Sequence, residues 1–332
     1  MDFKRLYKFY KKFKGMNKKF ALIGASGYIA PRHMQAIKET GGELIAAFDP
    51  FDSIGIMDSF FPNSKYFNEF ERFERFVDKS RNNKLTKIDY VSVASPNFLH
   101  DSHIRFALKN DCDVICEKPL VLNPHNIHQL IKVQTETNRK VYSILQLRLH
   151  PQIKQLKKNI EDQLSQHPRK IFDIELTYIT SRGPWYDISW KGDLEKSGGI
   201  ATNIGIHFFD MLSWIFGEVI DSKIFLKDQR TNSGILTLKN ANIKWFLSID
   251  KSYLSDSIIF NNSTTYRSII IEGEEIEFSN GFIDLHTESY SNILKGNGFG
   301  IEEALQSIEI VSSIRNMKVS KIASNHHPLL EK

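Results

Sequence analysis

The chain of 332 residues has room for about two domains of ordinary size, and its 41% hydrophobic and 25% charged fractions suit a globular protein with a sizeable core. The net charge of +5 resides in residues 1–15, where Lys4, Arg5, Lys8, Lys11, Lys12 and Lys14 stand against Asp2, so the body from Met16 onward is neutral. A neutral body argues against the basic face that a nucleic-acid partner needs, no window of about 20 apolar residues offers a membrane span, and two cysteines cannot make a disulfide framework.

In chain order, the basic tail comes first. Phe3, Leu6, Tyr7, Tyr10 and Phe13 fall at near-helical spacing among its lysines, which admits a membrane-surface helix. The plainer expectation is a mobile extension or an upstream start codon, because Met16-Asn17-Lys18-Lys19 leads straight into the first apolar run. From there to about residue 150, short β-type runs alternate with helical patterns, as in a parallel sheet covered on both faces. The predicted strands are Phe20–Ile23, Leu44–Phe48, Tyr90–Ala94, Val114–Cys116 and Val141–Leu145. Helices are expected over Ile29–Glu39, His103–Lys109 and Asn126–Glu136. Cys112 and Cys116, roughly 13 Å apart in an extended segment, read as buried reduced thiols of a cytoplasmic protein.

After Pro151 the pattern changes. Phe172, Ile174, Leu176 and Tyr178 alternate with Asp173, Glu175 and Thr177, and Ile243, Trp245, Leu247 and Ile249 with Lys244, Phe246, Ser248 and Asp250. Period-two alternation predicts mainly antiparallel strands with one buried face, with turns at Gly273 and Asn280-Gly281. Helices are expected near His207–Phe216 and Ile301–Met317. The expected architecture is therefore a doubly wound Rossmann domain over 16–150 and an α+β domain with a large open sheet over 151–332. Phe246 and Ile179, out of phase with the inward set, predict a covered outer face and hence a homo-oligomer built through that sheet.

The segment Gly24-Ala25-Ser26-Gly27-Tyr28-Ile29-Ala30 lies between a strand and a helix. Its small residues would let the backbone approach a pyrophosphate at the helix N-terminus. A chance glycine turn would read the same way, but the next strand ends in Asp49, near the offset of about 20 residues expected for a ribose-binding acid. No Arg or Lys follows in Pro50-Phe51-Asp52-Ser53, which favours NAD over NADP. A nucleotide-sugar epimerase would need a Tyr-x-x-x-Lys pair for proton transfer. Only Tyr7/Lys11 and Tyr10/Lys14 have that spacing, and both precede the glycine loop.

Three further stretches carry a resemblance. Ser95-Pro96-Asn97-Phe98-Leu99-His100 and Glu117-Lys118-Pro119 each follow a predicted strand. Trp190-Lys191-Gly192-Asp193 leads through Gly198-Gly199 to Asn203-Ile204-Gly205-Ile206-His207-Phe208-Phe209-Asp210. With the glycine loop, these resemble the ordered motifs of the Gfo/Idh/MocA oxidoreductase family over residues of about 18 to 330. The resemblance implies NAD as cofactor, held by Gly24, Ser26, Gly27, Tyr28, Ile29, Asp49, Ser95, Asn97, His100, Glu117, Lys118 and Trp190, with no metal. It also implies Lys118 and His207 as the proton-handling pair. The stretches IGASGYIAPRHMQAI, EKPLVLNP and SGGIATNIGIHFFDML look closest to members that oxidise the 3-hydroxyl of a UDP-N-acetylglucosaminuronate, so a UDP-sugar is the expected substrate.

Physical reading of those residues agrees. Alcohol oxidation needs a base for the hydroxyl proton. An imidazole with a pKa near ~6.5 can serve, and so can a lysine depressed by burial. Asn203 stands where many relatives have an aspartate, and an amide orients an imidazole without stabilising its cation, which favours His207 as base with Lys118 positioning the hydroxyl. Arg148 and Lys191 are candidates to hold a carboxylate or diphosphate. Trp185, Tyr186 and Trp190 are candidates to stack on a ring, or to pack in the core. A free-sugar or inositol dehydrogenase and a non-catalytic NAD(H)-binding regulator remain the alternatives.

Overall fold

The computed structural model describes residues 17–331 apart from 262, 278–283 and 323. The chain divides into two compact units. One holds the residues up to Val121, His125–Gln146 and Ile283–Ala304, and the other holds Leu122–Pro124, Leu147–Phe282 and Leu305–Lys332.

In the first unit six parallel strands run in the order β3-β2-β1-β4-β5-β6. They are β1 (Lys19–Ile23), β2 (Glu43–Phe48), β3 (Lys65–Phe67), β4 (Tyr90–Val93), β5 (Asp113–Cys116) and β6 (Val141–Ser143). Phe20–Ile23 and Tyr90–Val93 are wholly buried, as strands between two helical layers must be. The strand order reverses between β1 and β4, the point at which such sheets bind ligands beyond their carboxyl ends. The sequence reading left β3 unmarked because three residues, none of them fully buried, carry no period. Both thiols are buried and unpaired, as expected.

One helix of this unit comes from far along the chain. Leu285–Leu294 places Tyr290 and Ile293 in the same core cluster as Phe20, Leu22 and Tyr90. Phe20 stacks on Tyr90 at 5.3 Å between ring centroids. The Ser143 N–H donates to the Phe299 carbonyl at 3.0 Å, so this returning segment also pairs with the edge of β6. A single boundary at residue 150 misses that return.

In the second unit the sheet order is β12-β11-β7-β10-β9-β8. Its strands are β7 (Phe172–Thr180), β8 (Val219–Lys227), β9 (Thr231–Leu238), β10 (Ala241–Ser248), β11 (Thr265–Ile271) and β12 (Glu274–Glu277). Among the described residues β7 and β10 pair in parallel and the other neighbouring strands of this sheet are antiparallel. Glu272 and Gly273 take positive φ values of 52° and 87° in the turn before β12, the geometry that suits a tight hairpin. Asn280-Gly281 lies outside the described residues, as does the basic tail. On the inner face the helix Ile206–Phe216 packs Phe209 edge-on against Trp245 at 5.4 Å.

The outer face corrects the expectation built on Phe246 and Ile179. Both are buried, in a cluster with Leu254 packed by Tyr253, Leu329 and Leu330. The Phe246 ring lies 4.8 Å from Tyr253 and 5.4 Å from His327, and His327 Nε2 bonds Thr177 Oγ1 at 3.0 Å. The chain's own C-terminus covers this patch, so these two residues give no argument for a partner subunit.

Candidate active site

The glycine loop is shaped by close approach. Gly24 has φ +92°, and a Cβ there would stand 2.6 Å from the Ala94 carbonyl and 2.7 Å from the Ser95 nitrogen. Glycine is thus required both by conformation and by the abutting end of β4. The Gly24 and Ala25 N–H groups donate to the Phe48 carbonyl at the end of β2. Asp49, just beyond, accepts from the Ser26 N–H at 3.0 Å through Oδ2 and from the Phe51 N–H at 3.0 Å through Oδ1. The Tyr66 hydroxyl donates to the Asp49 carbonyl at 2.6 Å. A buried carboxylate pinned beside the loop, with lone pairs to spare on both oxygens, could accept from the adenosine ribose of NAD and would disfavour a 2′-phosphate. The helix Ala30–Glu39 starts from Ile29 with Pro31 in its first turn, where a missing N–H is harmless. Tyr28 stands 86% exposed on the loop.

Ser95, Asn97 and His100 cluster beyond β4. Ser95 Oγ bonds His103 Nδ1 at 2.9 Å, and burial lowers His103 to about 4. Asn97 is buried. His100, expected to face the cofactor, is instead wholly buried. Its Nδ1 meets the Pro119 carbonyl at 2.7 Å and its Nε2 the Ser95 carbonyl at 2.8 Å. Burial lowers its pKa, and whichever nitrogen holds the proton donates to one of these carbonyls. His100 therefore lies between the Ser95 carbonyl and the segment after Lys118, hydrogen-bonded to one of the two.

Glu117 also has a different task from the one its motif suggested. Its Oε1 accepts from His286 Nε2 at 2.8 Å and from His33 Nε2 at 3.1 Å, and its Oε2 accepts the Lys118 N–H at 3.3 Å. His33 Nδ1 meets the Tyr290 hydroxyl at 2.7 Å, which meets Ser92 Oγ at 2.6 Å. Burial pushes the Glu117 carboxyl up, but the bonds from His286 and His33 outweigh it and hold the group well below the usual carboxylate range. Burial lowers the His33 imidazole. Lys118 itself is half-buried. His33, Ser92, His286 and Tyr290 were not singled out from sequence. The available signal was weak: His286 and Tyr290 stand one helical turn apart, and His33 lies one turn into the helix after the glycine loop.

The second unit groups the rest. Lys191 Nζ lies 5.1 Å from the centre of the Trp185 ring and 5.4 Å from that of Trp190, a cation between two aromatic faces. Tyr186 is core, and its hydroxyl accepts from Asn203 Nδ2 at 2.7 Å. His207, half-buried, is the second residue of its helix. Arg148 is corrected as a substrate residue. Its Nε and one Nη donate to the two carboxylate oxygens of Asp210 at 2.9 and 2.7 Å, both side chains buried, so its planar fork is already matched by a carboxylate. Asp210, the last residue of the histidine motif, is the partner that sequence reading did not assign.

Comparison with known proteins agrees with this layout. Residues 18–144 match the model of an oxidoreductase family with an NAD-binding Rossmann fold, and residues 169–237 match the C-terminal alpha/beta domain of the same family. The structure of the WlbA (WbpB) dehydrogenase from Thermus thermophilus in complex with NAD and alpha-ketoglutarate is 45% identical. It covers 94% of this chain and 99% of its own, with a TM-score of 0.90. The same enzyme with NAD and UDP-GlcNAcA gives 0.89. The Bordetella pertussis WlbA dehydrogenase shares the fold at 19% identity, covering 90% of this chain and 94% of its own with a TM-score of 0.72. Among curated sequences, inositol 2-dehydrogenase of Rhizobium meliloti is 26% identical over 61% of this chain, and the match spans 56% of that enzyme's length. The chain belongs to the Gfo/Idh/MocA family of NAD-binding oxidoreductases.

Proposed function

We propose that this protein is an NAD-dependent dehydrogenase that oxidises the 3-hydroxyl of UDP-N-acetylglucosaminuronate to the 3-keto sugar. The observation that carries the reading is the 45% identity over 99% of a dehydrogenase held with NAD and UDP-GlcNAcA. The pinned Asp49 beside the Gly24 loop supports it from this chain's own residues. NAD, when bound, supplies the acceptor for the hydride leaving C3. The chain's contribution is proton handling and orientation. His207 takes the hydroxyl proton, Lys118 donates to the hydroxyl oxygen, and Lys191 between its two tryptophans offers a fixed positive charge to the substrate's acidic groups. The keto product suits an aminotransferase step toward a diaminated uronic acid for bacterial surface polysaccharide, made in the cytoplasm.

A 2-oxo acid as second substrate is supported by the alpha-ketoglutarate held by the Thermus enzyme. Reduced to the 2-hydroxy acid while the sugar is oxidised, it would close the redox cycle. The test is NADH formation across UDP-uronic acids, free sugars and inositols, then sugar oxidation with catalytic NAD with and without alpha-ketoglutarate. UDP-GlcNAcA is expected to give the highest kcat/KM; a higher value for an inositol or a free sugar would overturn the assignment.

A further inference from the structure

We propose that the buried string Ser92, Tyr290, His33, Glu117 and His286 is a positioning device for the Lys118 backbone. The functional weight of this inference rests on the role given to Lys118 above. A single proton order satisfies the string. Glu117, held ionised, only accepts, so the Nε2 of both histidines must donate to it. A neutral His33 then accepts at Nδ1, so the Tyr290 hydroxyl donates to it and Ser92 donates to Tyr290. Every hydrogen bond points toward Glu117, which collects three N–H donors: two imidazoles on Oε1 and the Lys118 amide on Oε2. A carboxylate so supplied is fixed in place as well as in charge. On the far side of Lys118, His100 Nδ1 lies 2.7 Å from the Pro119 carbonyl.

The alternative is a metal centre, since two histidines and a glutamate gather their ligand atoms within 4.8 Å. The distances favour hydrogen bonds. Ligands about 2.0–2.1 Å from a tetrahedral zinc sit about 3.3 Å from one another, whereas His286 Nε2 stands 2.8 Å from Glu117 Oε1. A purely structural tie is a poor account too. Tyr290 and Ile293 already anchor the helix Leu285–Leu294 by apolar packing, while His286 leaves its Nδ1 buried without a hydrogen-bond partner. That is an expensive way to fill a core unless the Nε2–H contact is what is needed.

The test compares His286→Leu, His286→Gln and Glu117→Gln with the parent. Amide hydrogen exchange of the peptide containing Lys118 reads position without any substrate. NAD affinity and kcat with UDP-GlcNAcA read function, and metal content is measured on the purified protein. Removing a donor to a charged acceptor should speed exchange there about ten- to a hundredfold. It should lower kcat to a similar degree and leave NAD affinity within about threefold. His286→Gln, which keeps an N–H donor, should recover most of both, and Glu117→Gln should behave like His286→Leu if the latter is too unstable to purify. Equal exchange in the Leu and Gln variants, or stoichiometric zinc whose chelation changes the exchange, would overturn the proposal. A parent protein inert toward UDP-GlcNAcA would instead refute the functional reading and leave the exchange result to stand alone.

Discussion

Replacing Gly24 by alanine should cost most of the affinity for NAD, and the structure says why. At φ +92° an L-residue is strained by about 1–3 kcal/mol. The new methyl would also lie 2.6 Å from backbone atoms of Ala94, and those atoms end a strand bonded on both sides within the sheet. Backbone cannot swing aside as a side chain would, so overpacking adds about 1–3 kcal/mol. The combined strain of about 2–6 kcal/mol is relieved by moving the loop away from β4, which also withdraws Ser26 from Asp49. NAD binding should weaken by thirtyfold or more, the equivalent of about 2 kcal/mol, as read by calorimetric titration. Gly27→Ala meets the Gly24 carbonyl oxygen at 3.2 Å and should be milder, and Gly55→Ala meets nothing within 4 Å and should be silent. A Gly24→Ala protein that binds NAD within threefold of the parent would refute the argument.

Asp49 accepts two backbone N–H bonds, so NAD should bind far more tightly than NADP, and Asp49→Ser should narrow the gap; equal affinity of the unaltered protein for the two would reject that role. Lys118→Ala and His207→Ala should each retain NAD affinity and lose most of kcat; turnover within about threefold of the parent, under ~1 kcal/mol of barrier, would remove that residue from the chemistry. Asp210→Ala should destabilise the fold by about 3–5 kcal/mol by stranding the buried Arg148 charge, visible in denaturant titration. Arg148→Lys should reduce stability with little change in the KM for the sugar, whereas a rise in KM at full stability would restore Arg148 to the substrate. Phe246→Glu should act within a single chain: placing a charge under Tyr253 and His327 should lower Tm sharply, and dissociation of an oligomer at unchanged Tm would contradict the intramolecular cover.

Much was legible in the order of residues because the relevant physics is local. A strand buried on both faces must be largely apolar, so β1, β2, β4 and β5 announced themselves. The turn from β1 into its helix needs small residues, and the acid that ends β2 follows one strand–helix–strand unit later. Period two in β7 and β10 gave the second sheet for the same reason. What stayed hidden depends on which distant segments meet. His33 and Tyr290 are 257 positions apart, and Glu117 and His286 are 169 apart. Nothing in the amphipathic pattern of residues 285–294 says which layer that helix joins. Arg148 read as a charge available to a substrate until folding paired it with Asp210, 62 positions away. Alternation marks an outer face but not what covers it, so Phe246 and Ile179 pointed to a second subunit when the chain's own C-terminus was the cover. Local sterics and periodicity are written residue by residue, whereas the pairing of buried charges and the covering of faces follow only from the path of the folded chain.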